Sequence, residues 1–184
     1  MRSQRGARHV KLARHGGSAG ASIGQESPIQ MTAMERIEEF LAQKRLAFVG
    51  VSNRPAEFSR TLFREFRARG YNAIPVHPGV SEIDGEKCFA RVQDIDPPPD
   101  GALLLTAPGV TEQVVRDCAE AGIRRVWMYR AGGAGAVSAN AIGFCAANGI
   151  EVVPGECPFM FLPRTPWFHR LHGWVKKIAG SYPR

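Results

Sequence analysis

The stretch LAFVGVSNRPAEFSRTLFREFRARGYNAIPVHPG, residues 46–79, decides the fold. It begins with a short apolar run, passes through a polar loop into an amphipathic segment, and ends in a second apolar run. In the amphipathic segment Leu62, Phe63 and Phe66 recur at helical spacing, and Gly70 is a typical helix stop. Two strands joined by one helix of this length form a right-handed crossover with parallel strands.

The same alternation continues along the chain. Apolar runs at 101–106, 123–129 and 150–153 alternate with helical patterns at 109–122 and 136–149. Five strands separated by helices predict an α/β fold, a Rossmann-like doubly wound parallel sheet with helices on both faces. Ligands of such sheets bind beyond the carboxyl ends of the strands, where the strand order reverses.

Three further segments complete the predicted body. Residues 32–44 predict an N-terminal helix with Thr32 as N-cap and an apolar face. The predicted helix at 109–122 carries Val110, Val114, Val115 and Cys118 and ends at Gly122. Residues 81–95 are the least regular part, and we expect a short strand and a turn there. The apolar face of the N-terminal helix comprises Met34, Ile37, Phe40 and Leu41.

Charge divides the chain into three parts. Residues 1–30 carry five basic side chains and one acidic one, and residues 163–184 carry five basic and none acidic. The net charge of +7 therefore lies on the tails, and the body at 31–162 is near neutral. A nucleic-acid-binding domain carries its basic stripe on the folded body, so we expect no nucleic-acid partner. No apolar run is long enough to cross a membrane.

The two basic tails have separate interpretations. Residues 1–30 are polar and rich in Gly and Ser, which predicts a disordered tail; a transit peptide or translation from Met31 or Met34 are the alternatives. Residues 163–184 predict an amphipathic basic helix. It either packs on its own domain or closes a homodimer, or it contacts another protein or a membrane surface.

The sequence offers no catalytic or metal site. Four cysteines are present without a C-x-x-C pair, and neither G-x-S-x-G nor H-E-x-x-H occurs. His169 and His172 share a helical face but lack a third ligand. The cysteine usage suits a reducing compartment, and we expect a cytoplasmic protein.

The loop after the first strand has the composition of a phosphate site. Ser52 and Ser59 offer hydroxyls, Arg54 and Arg60 offer charged donors, and a helix N-terminus follows. The loop lacks both G-x-G-x-x-G and a Walker sequence. The structural alternative is that the two serines only cap the helix.

The end of the second strand bears on the identity of the ligand. NAD sites usually place an acid there for the ribose hydroxyls, whereas this chain has His77 and Pro78. An NAD(P)-binding oxidoreductase or redox sensor that uses the same edge remains the alternative, with NADP favoured over NAD.

Taken in order, the segments AFVGVSNRPAEFSRTLF, NAIPVHPG, IDGEKCF, LLLTAPG, RRVWMYRAGG and VVPGECPF resemble the stand-alone CoA-binding domain family. That family is related to the N-terminal domain of the succinyl-CoA synthetase α subunit, and the resemblance covers residues 46–161. It implies a module that binds CoA or acyl-CoA across the carboxyl edge. The larger relatives are acyl-CoA ligases that need a phosphorylatable histidine and a nucleotide-grasping domain, so we expect binding without catalysis.

The resemblance also implies a set of ligand contacts. The diphosphate would meet Gly50, Ser52, Asn53, Arg54, Ser59 and Arg60. His77 and Pro78 would lie near the adenosine, and Thr106, Ala107 and Pro108 would border the pantetheine arm.

Two later positions add to this edge. Tyr129 would line the pocket beside the loop GGAGAVS, which is a second candidate anion nest. The thiol of Cys157 would meet the CoA thiol and form a mixed disulfide, unless Cys157 is simply a small buried residue.

Overall fold

The computed structural model describes residues 31–130 and 133–162. The predicted disordered tail at 1–30 and the predicted amphipathic helix at 163–184 lie outside the described residues, and so do His169 and His172. The domain boundaries drawn at 31 and 162 stay predictions.

Five parallel strands form the central sheet, as the sequence predicts, in the order β2-β1-β5-β6-β7. A separate two-stranded sheet pairs β3 with β4. The strands are β1 Arg45–Val49, β2 Asn72–Val76, β3 Glu82–Ile83, β4 Glu86–Lys87, β5 Gly101–Leu104, β6 Arg125–Met128 and β7 Glu151–Pro154.

Helices cover both faces of the sheet, because successive side chains of a strand point to opposite sides. Leu46 and Phe48 of β1 belong to a core with the first two helices, and Ala47 and Val49 belong to a core with the last two. Phe48 packs edge to face on Phe66, with ring centroids 5.0 Å apart. The helices are α1 Ala33–Ala42, α2 Phe58–Ala68, α3 Pro108–Glu120 and α4 Ala139–Ala147.

Helix α1 forms as its sequence predicts. The Thr32 hydroxyl accepts the N–H of Glu35, and the Glu35 carboxylate accepts the N–H of Thr32, which completes a capping box. Ile37 and Phe40 are buried, so the apolar face is confirmed.

Helix α3 buries only part of its apolar residues. Val114, Val115 and Cys118 are buried, whereas Val110 in the first turn is 53% exposed. This first turn is separated from the end of β5 by three residues and lies at the carboxyl edge of the sheet.

Residues 81–95 form more than the expected short strand and turn. Strands β3 and β4 make a hairpin, and its two turn residues, Asp84 and Gly85, have φ of 51° and 80°. Positive φ at both positions is the signature of the type I′ turn, for which Asp-Gly is a preferred pair. A 3₁₀ turn, Val92–Asp94, follows the hairpin.

Candidate functional site

The order of the strands locates the switch point between β1 and β5. The chain passes from β1 to β2 on one side and returns to β5 on the other, so the loops after β1 and β5 diverge from adjacent strands. Gly50 follows β1 with φ of 89°, and a Cβ built on it would lie 3.1 Å from the Leu105 carbonyl and the Thr106 methyl. This close approach requires glycine at position 50.

The two serines of the first loop bind the loop itself. The N–H of Ser52 donates to the Ser59 hydroxyl at 3.0 Å, and the N–H of Arg54 donates to the Ser52 hydroxyl at 3.1 Å. Neither serine occupies the N-cap position of α2, so the alternative that they only cap the helix does not describe this loop. Both side chains are half-buried, and Asn53 and Arg54 beside them are exposed.

The N-terminus of α2 is open. Its N-cap residue is Glu57, whose side chain makes no hydrogen bond to the first turn. The Arg60 N–H donates to the Glu57 carbonyl at 3.0 Å, so the N–H groups of Phe58 and Ser59, together with the helix dipole, are the ones that could bind an anion. The side chain of Arg54 is 80% exposed and lies 3.9 Å from the Glu57 carboxylate, a weak surface pair that leaves the guanidinium free to move.

Arg60, which the sequence offers as a charged donor for a phosphate, is buried. It is only 6% exposed. Its Nε and Nη2 donate to the Asp84 carboxylate, and its Nη1 donates to the Ser52 carbonyl at 3.2 Å. The guanidinium thus lies behind the loop and binds its backbone.

The end of β2 carries the predicted histidine and proline. The Nδ1 of His77 accepts the N–H of Gly79 at 3.0 Å, and the N–H of His77 donates to the Phe89 carbonyl. His77 is half-buried and Pro78 is exposed. No acid stands at the strand end, as the sequence indicates.

The end of β5 lies beside Gly50. The hydroxyls of Thr106 and Thr111 are 2.7 Å apart, and Ala107 is the N-cap residue of α3 without a side-chain hydrogen bond. Pro108 is the first residue of α3, where its missing N–H costs little.

An aromatic cluster closes the other end of the edge. The ring of Tyr129 stacks on Phe58 with centroids 4.9 Å apart, and Phe159 meets Phe58 edge to face at 5.6 Å. Burial, with a smaller contribution from the thiol of Cys157, raises the pKa of Tyr129 to about 12, so the phenol is neutral near pH 7. Cys157 is half-buried. Phe58 is absent from the residues that the sequence singles out, although an apolar aromatic directly before a serine-arginine pair was a visible signal.

The predicted contacts therefore divide into groups along one edge. Ser52, Ser59 and Thr106 lie centrally, next to the switch point. His77 lies beyond β2 on one side, and Tyr129 lies beyond β6 on the other. With about 4.8 Å between neighbouring strands, the edge from β2 to β7 spans about 19 Å, which suits an extended ligand.

The start of α4 does not favour the second anion nest. The Ser138 hydroxyl accepts the N–H of Ala141 and donates to the Glu112 carboxylate at 2.6 Å. Asn140 donates to the same carboxylate. A side-chain cap and a negative charge thus occupy the position where an anion would bind.

The described residues contain neither a cluster suited to a metal ion nor a helix that could cross a membrane. No group of three or more His, Cys, Asp or Glu side chains in 31–130 and 133–162 is arranged to hold a metal ion. Over the same residues, no helix is long and apolar enough to cross a membrane.

A doubly wound sheet with an open helix N-terminus at its switch point defines a class of small α/β domains that bind anionic ligands. The chain belongs to the CoA binding domain family, whose sequence profile matches residues 44–163. The family resemblance drawn from the sequence is thereby confirmed.

Two relatives are similar to part of this chain. The chain is 33% identical over 90 residues to Uncharacterized protein YneT of Bacillus subtilis, and the alignment covers 46% of this chain and 67% of that protein. It is 25% identical over 97 residues to the ADP-forming acetate–CoA ligase II subunit alpha of Pyrococcus furiosus. That match covers 52% of this chain and only 21% of the subunit.

A solved structure shares the fold. A hypothetical protein from Pyrococcus horikoshii OT3 superposes with a TM-score of 0.64 at 24% sequence identity. The superposition covers 70% of this chain and 87% of that one.

Proposed function

We propose that the protein binds CoA or an acyl-CoA along the carboxyl edge of its sheet and does so without catalysis. The family match supports CoA as the ligand. The single structural observation that carries the placement is the open N-terminus of α2 beside the switch point, where Glu57 makes no capping bond.

The roles of the central residues follow from their geometry. The diphosphate binds at the first turn of α2, with Arg54 as a mobile, charge-assisted donor. Ser52 and Ser59 shape the loop, because the Ser59 hydroxyl accepts the N–H of Ser52 and the Ser52 hydroxyl accepts the N–H of Arg54. Gly50 lets the loop after β1 pack against the loop after β5, since a Cβ there would lie 3.1 Å from the Leu105 carbonyl.

The two ends of the ligand lie on opposite sides of this centre. The adenosine lies towards His77 and Pro78, and the pantetheine arm passes Thr106, Ala107 and Pro108. The thiol end then approaches Tyr129 and Cys157, where a neutral phenol and apolar rings suit an uncharged thioester.

A binding role is supported by the character of the edge. The hydroxyls of Ser52 and Ser59 at this edge accept backbone N–H groups of their own loop, which is a structural role. Only a fifth of the ligase subunit corresponds to this chain, so the subunit's activity is not transferred here. We propose a cytoplasmic location, because Cys88, Cys118 and Cys145 are reduced thiols.

A thermal-shift titration tests the proposal. The full chain is titrated with CoA, dephospho-CoA, NADH, NADPH and ATP, since a ligand that binds only the folded state raises the melting temperature by mass action. We expect CoA to give the largest shift. A shift with NADPH and none with CoA would favour the dehydrogenase-type alternative.

A pair of arginine variants locates the site. Arg54→Ala removes the exposed donor beside the open helix, and we expect the Kd for CoA to rise about tenfold, equivalent to ~1.4 kcal/mol. Arg124→Ala is the control, because Arg124 precedes β6 and therefore lies at the opposite edge of the sheet. Equal Kd values for both variants would place the ligand elsewhere.

A further inference from the structure

Helix α2 presents a row of arginines to the β3–β4 hairpin. Arg60, Arg64 and Arg67 follow one another at i, i+4 and i+7, which places them on one face of the helix. Each of them bonds to the hairpin, through the carboxylate of Asp84 or through the Asp84 carbonyl and Glu86. The hairpin is thereby fixed to the helix whose N-terminus forms the ligand site.

Asp84 is the common acceptor of the first two arginines. Its carboxylate receives Nε and Nη2 of Arg60, and it receives Nε and Nη2 of Arg64 with both distances at 2.9 Å. Two forked, charge-assisted contacts on one carboxylate are a strong and directional arrangement. Asp84 makes these contacts from the hairpin turn, where its φ is 51°.

Both arginines have a second contact, and in each case it is to the loop before α2. Nη1 of Arg60 donates to the Ser52 carbonyl, and Nη1 of Arg64 donates to the Pro55 carbonyl, each at 3.2 Å. The guanidinium groups therefore connect Asp84 to two backbone oxygens of residues 52–57. These residues are separated from Asp84 by about thirty positions in the sequence.

We propose that Asp84, acting through Arg60 and Arg64, is a positioning residue that fixes the conformation of residues 52–57 for ligand binding. We call these three residues the loop clamp. The inference rests on the proposed function, since it assigns the loop clamp to the same CoA site.

The physical reason is the polarity of the loop backbone. Carbonyl oxygens that face a diphosphate repel it, whereas N–H groups attract it. Guanidinium groups that hold the Ser52 and Pro55 carbonyls fix which side of the peptide planes is available to the ligand. A loop without these contacts would have to be ordered on binding, and that ordering lowers the affinity.

The same helix supplies a matched control. Arg67 also bonds to the hairpin, at the Asp84 carbonyl and at Glu86, but within the described residues it has no bond to 52–57. Arg67→Ala removes the same charge one turn away from Arg64 and likewise weakens the attachment of the hairpin to α2. It leaves the contacts of Arg60 and Arg64 to the Asp84 carboxylate and to the loop in place.

The experiment compares Arg64→Ala, Arg64→Lys and Arg67→Ala in the full chain. Arg64 has a side chain that is 45% exposed, so we expect these variants to fold. Two quantities are measured: the Kd for CoA, and the amide hydrogen exchange of residues 52–57 without ligand. We expect both Arg64 variants to raise the Kd about tenfold and to speed exchange of the loop, because Lys keeps the charge but loses the fork. Arg67→Ala is expected to change neither quantity.

The outcomes separate the loop clamp from the proposed function. Unchanged exchange and Kd in Arg64→Ala would overturn the loop clamp, and so would full retention of affinity by Arg64→Lys, since charge alone would then explain the site. Equal effects of Arg64→Ala and Arg67→Ala would also overturn the loop clamp, because they would show that the arginines act only by attaching the hairpin to α2. If the wild type binds no CoA, the proposed function fails together with the assigned purpose of the clamp, while faster exchange in Arg64→Ala would still establish the clamp as a support of the loop.

Discussion

Helices α2 and α4 both begin at the carboxyl edge of the same sheet, yet their N-termini are treated in opposite ways. The first turn of α4 is closed by the Ser138 hydroxyl, and the Glu112 carboxylate lies beside it. The first turn of α2 has no side-chain cap, and Arg54 and Arg60 bond to Glu57 and to the Ser52 carbonyl at this end of the helix. We infer from the comparison that a helix N-terminus suits an anion when side chains leave its backbone donors unused.

The largest effect is expected from a side chain at position 50, where the loops after β1 and β5 pack closely. Gly50→Val introduces a branched residue at a φ of 89°, where its Cβ would lie 3.1 Å from the Leu105 backbone. Backbone strain and overpacking together should lower the free energy of unfolding by about 4 kcal/mol and abolish CoA binding. Urea denaturation measures the loss.

Gly143→Ala is the control for that variant. Gly143 lies within α4, and a Cβ added there meets nothing within 4 Å. Alanine in place of this helical glycine should stabilise the protein by about 0.5 kcal/mol, because it lowers the conformational entropy of the unfolded chain. CoA binding should stay unchanged. A Gly50→Val protein as stable as the wild type would contradict the close approach of the two loops.

A second large effect is expected from Asp84→Asn. Asn tolerates the positive φ of the turn, but the buried Arg60 loses its carboxylate, which should lower the free energy of unfolding by about 3 kcal/mol at pH 7. The arginines Arg64 and Arg60 hold the pKa of Asp84 well below its ordinary value of 3.8. The carboxylate therefore contributes stability above about pH 4, and this contribution is lost as the pH falls towards the lowered folded-state pKa.

The difference in stability between the wild type and Asp84→Asn should accordingly be constant from pH 7 to pH 5 and shrink below pH 4. Urea denaturation at each pH measures it. Glu82→Gln is the control, because Glu82 is an exposed acid of the same hairpin without a bond to the arginine row. A difference that persists at low pH would show that Asp84 acts through something other than its charge.

The smallest effects compare the two helix starts directly. Ser138→Ala removes the cap of α4 and should cost about 1 kcal/mol of stability without changing the Kd for CoA. Ser59→Ala removes the acceptor of the Ser52 N–H and should cost a similar amount of stability, about 1 kcal/mol, but also weaken CoA binding. Calorimetric titration and denaturation of both variants check this. Weaker CoA binding in Ser138→Ala would break the distinction between the two helices.

The layout of the sheet could be predicted because it depends on local periodicity. The apolar runs and the inward face of Leu62, Phe63 and Phe66 fix a crossover unit without knowledge of distant residues. The capping box at Thr32 likewise lies within four residues.

The environment of Arg60 could not be predicted in this way. An arginine in an amphipathic helix is usually exposed, and its burial here depends on Asp84, which lies 24 residues away in a separate hairpin. The Asp-Gly pair did signal that hairpin, but nothing local indicates which helix it packs against. Phe58 is a similar case, because its stacking on Tyr129 joins the start of α2 to the residue after β6, about seventy positions away in the sequence.

Chemical-shift mapping of backbone amides on addition of CoA tests the central claim most directly. We predict that the amides of Phe58, Ser59 and Arg60 at the start of α2 shift strongly on addition of CoA, while those of Ala139, Asn140 and Ala141 at the start of α4 do not. Shifts concentrated at α4, or no shifts at α2 under saturating CoA, would contradict the account.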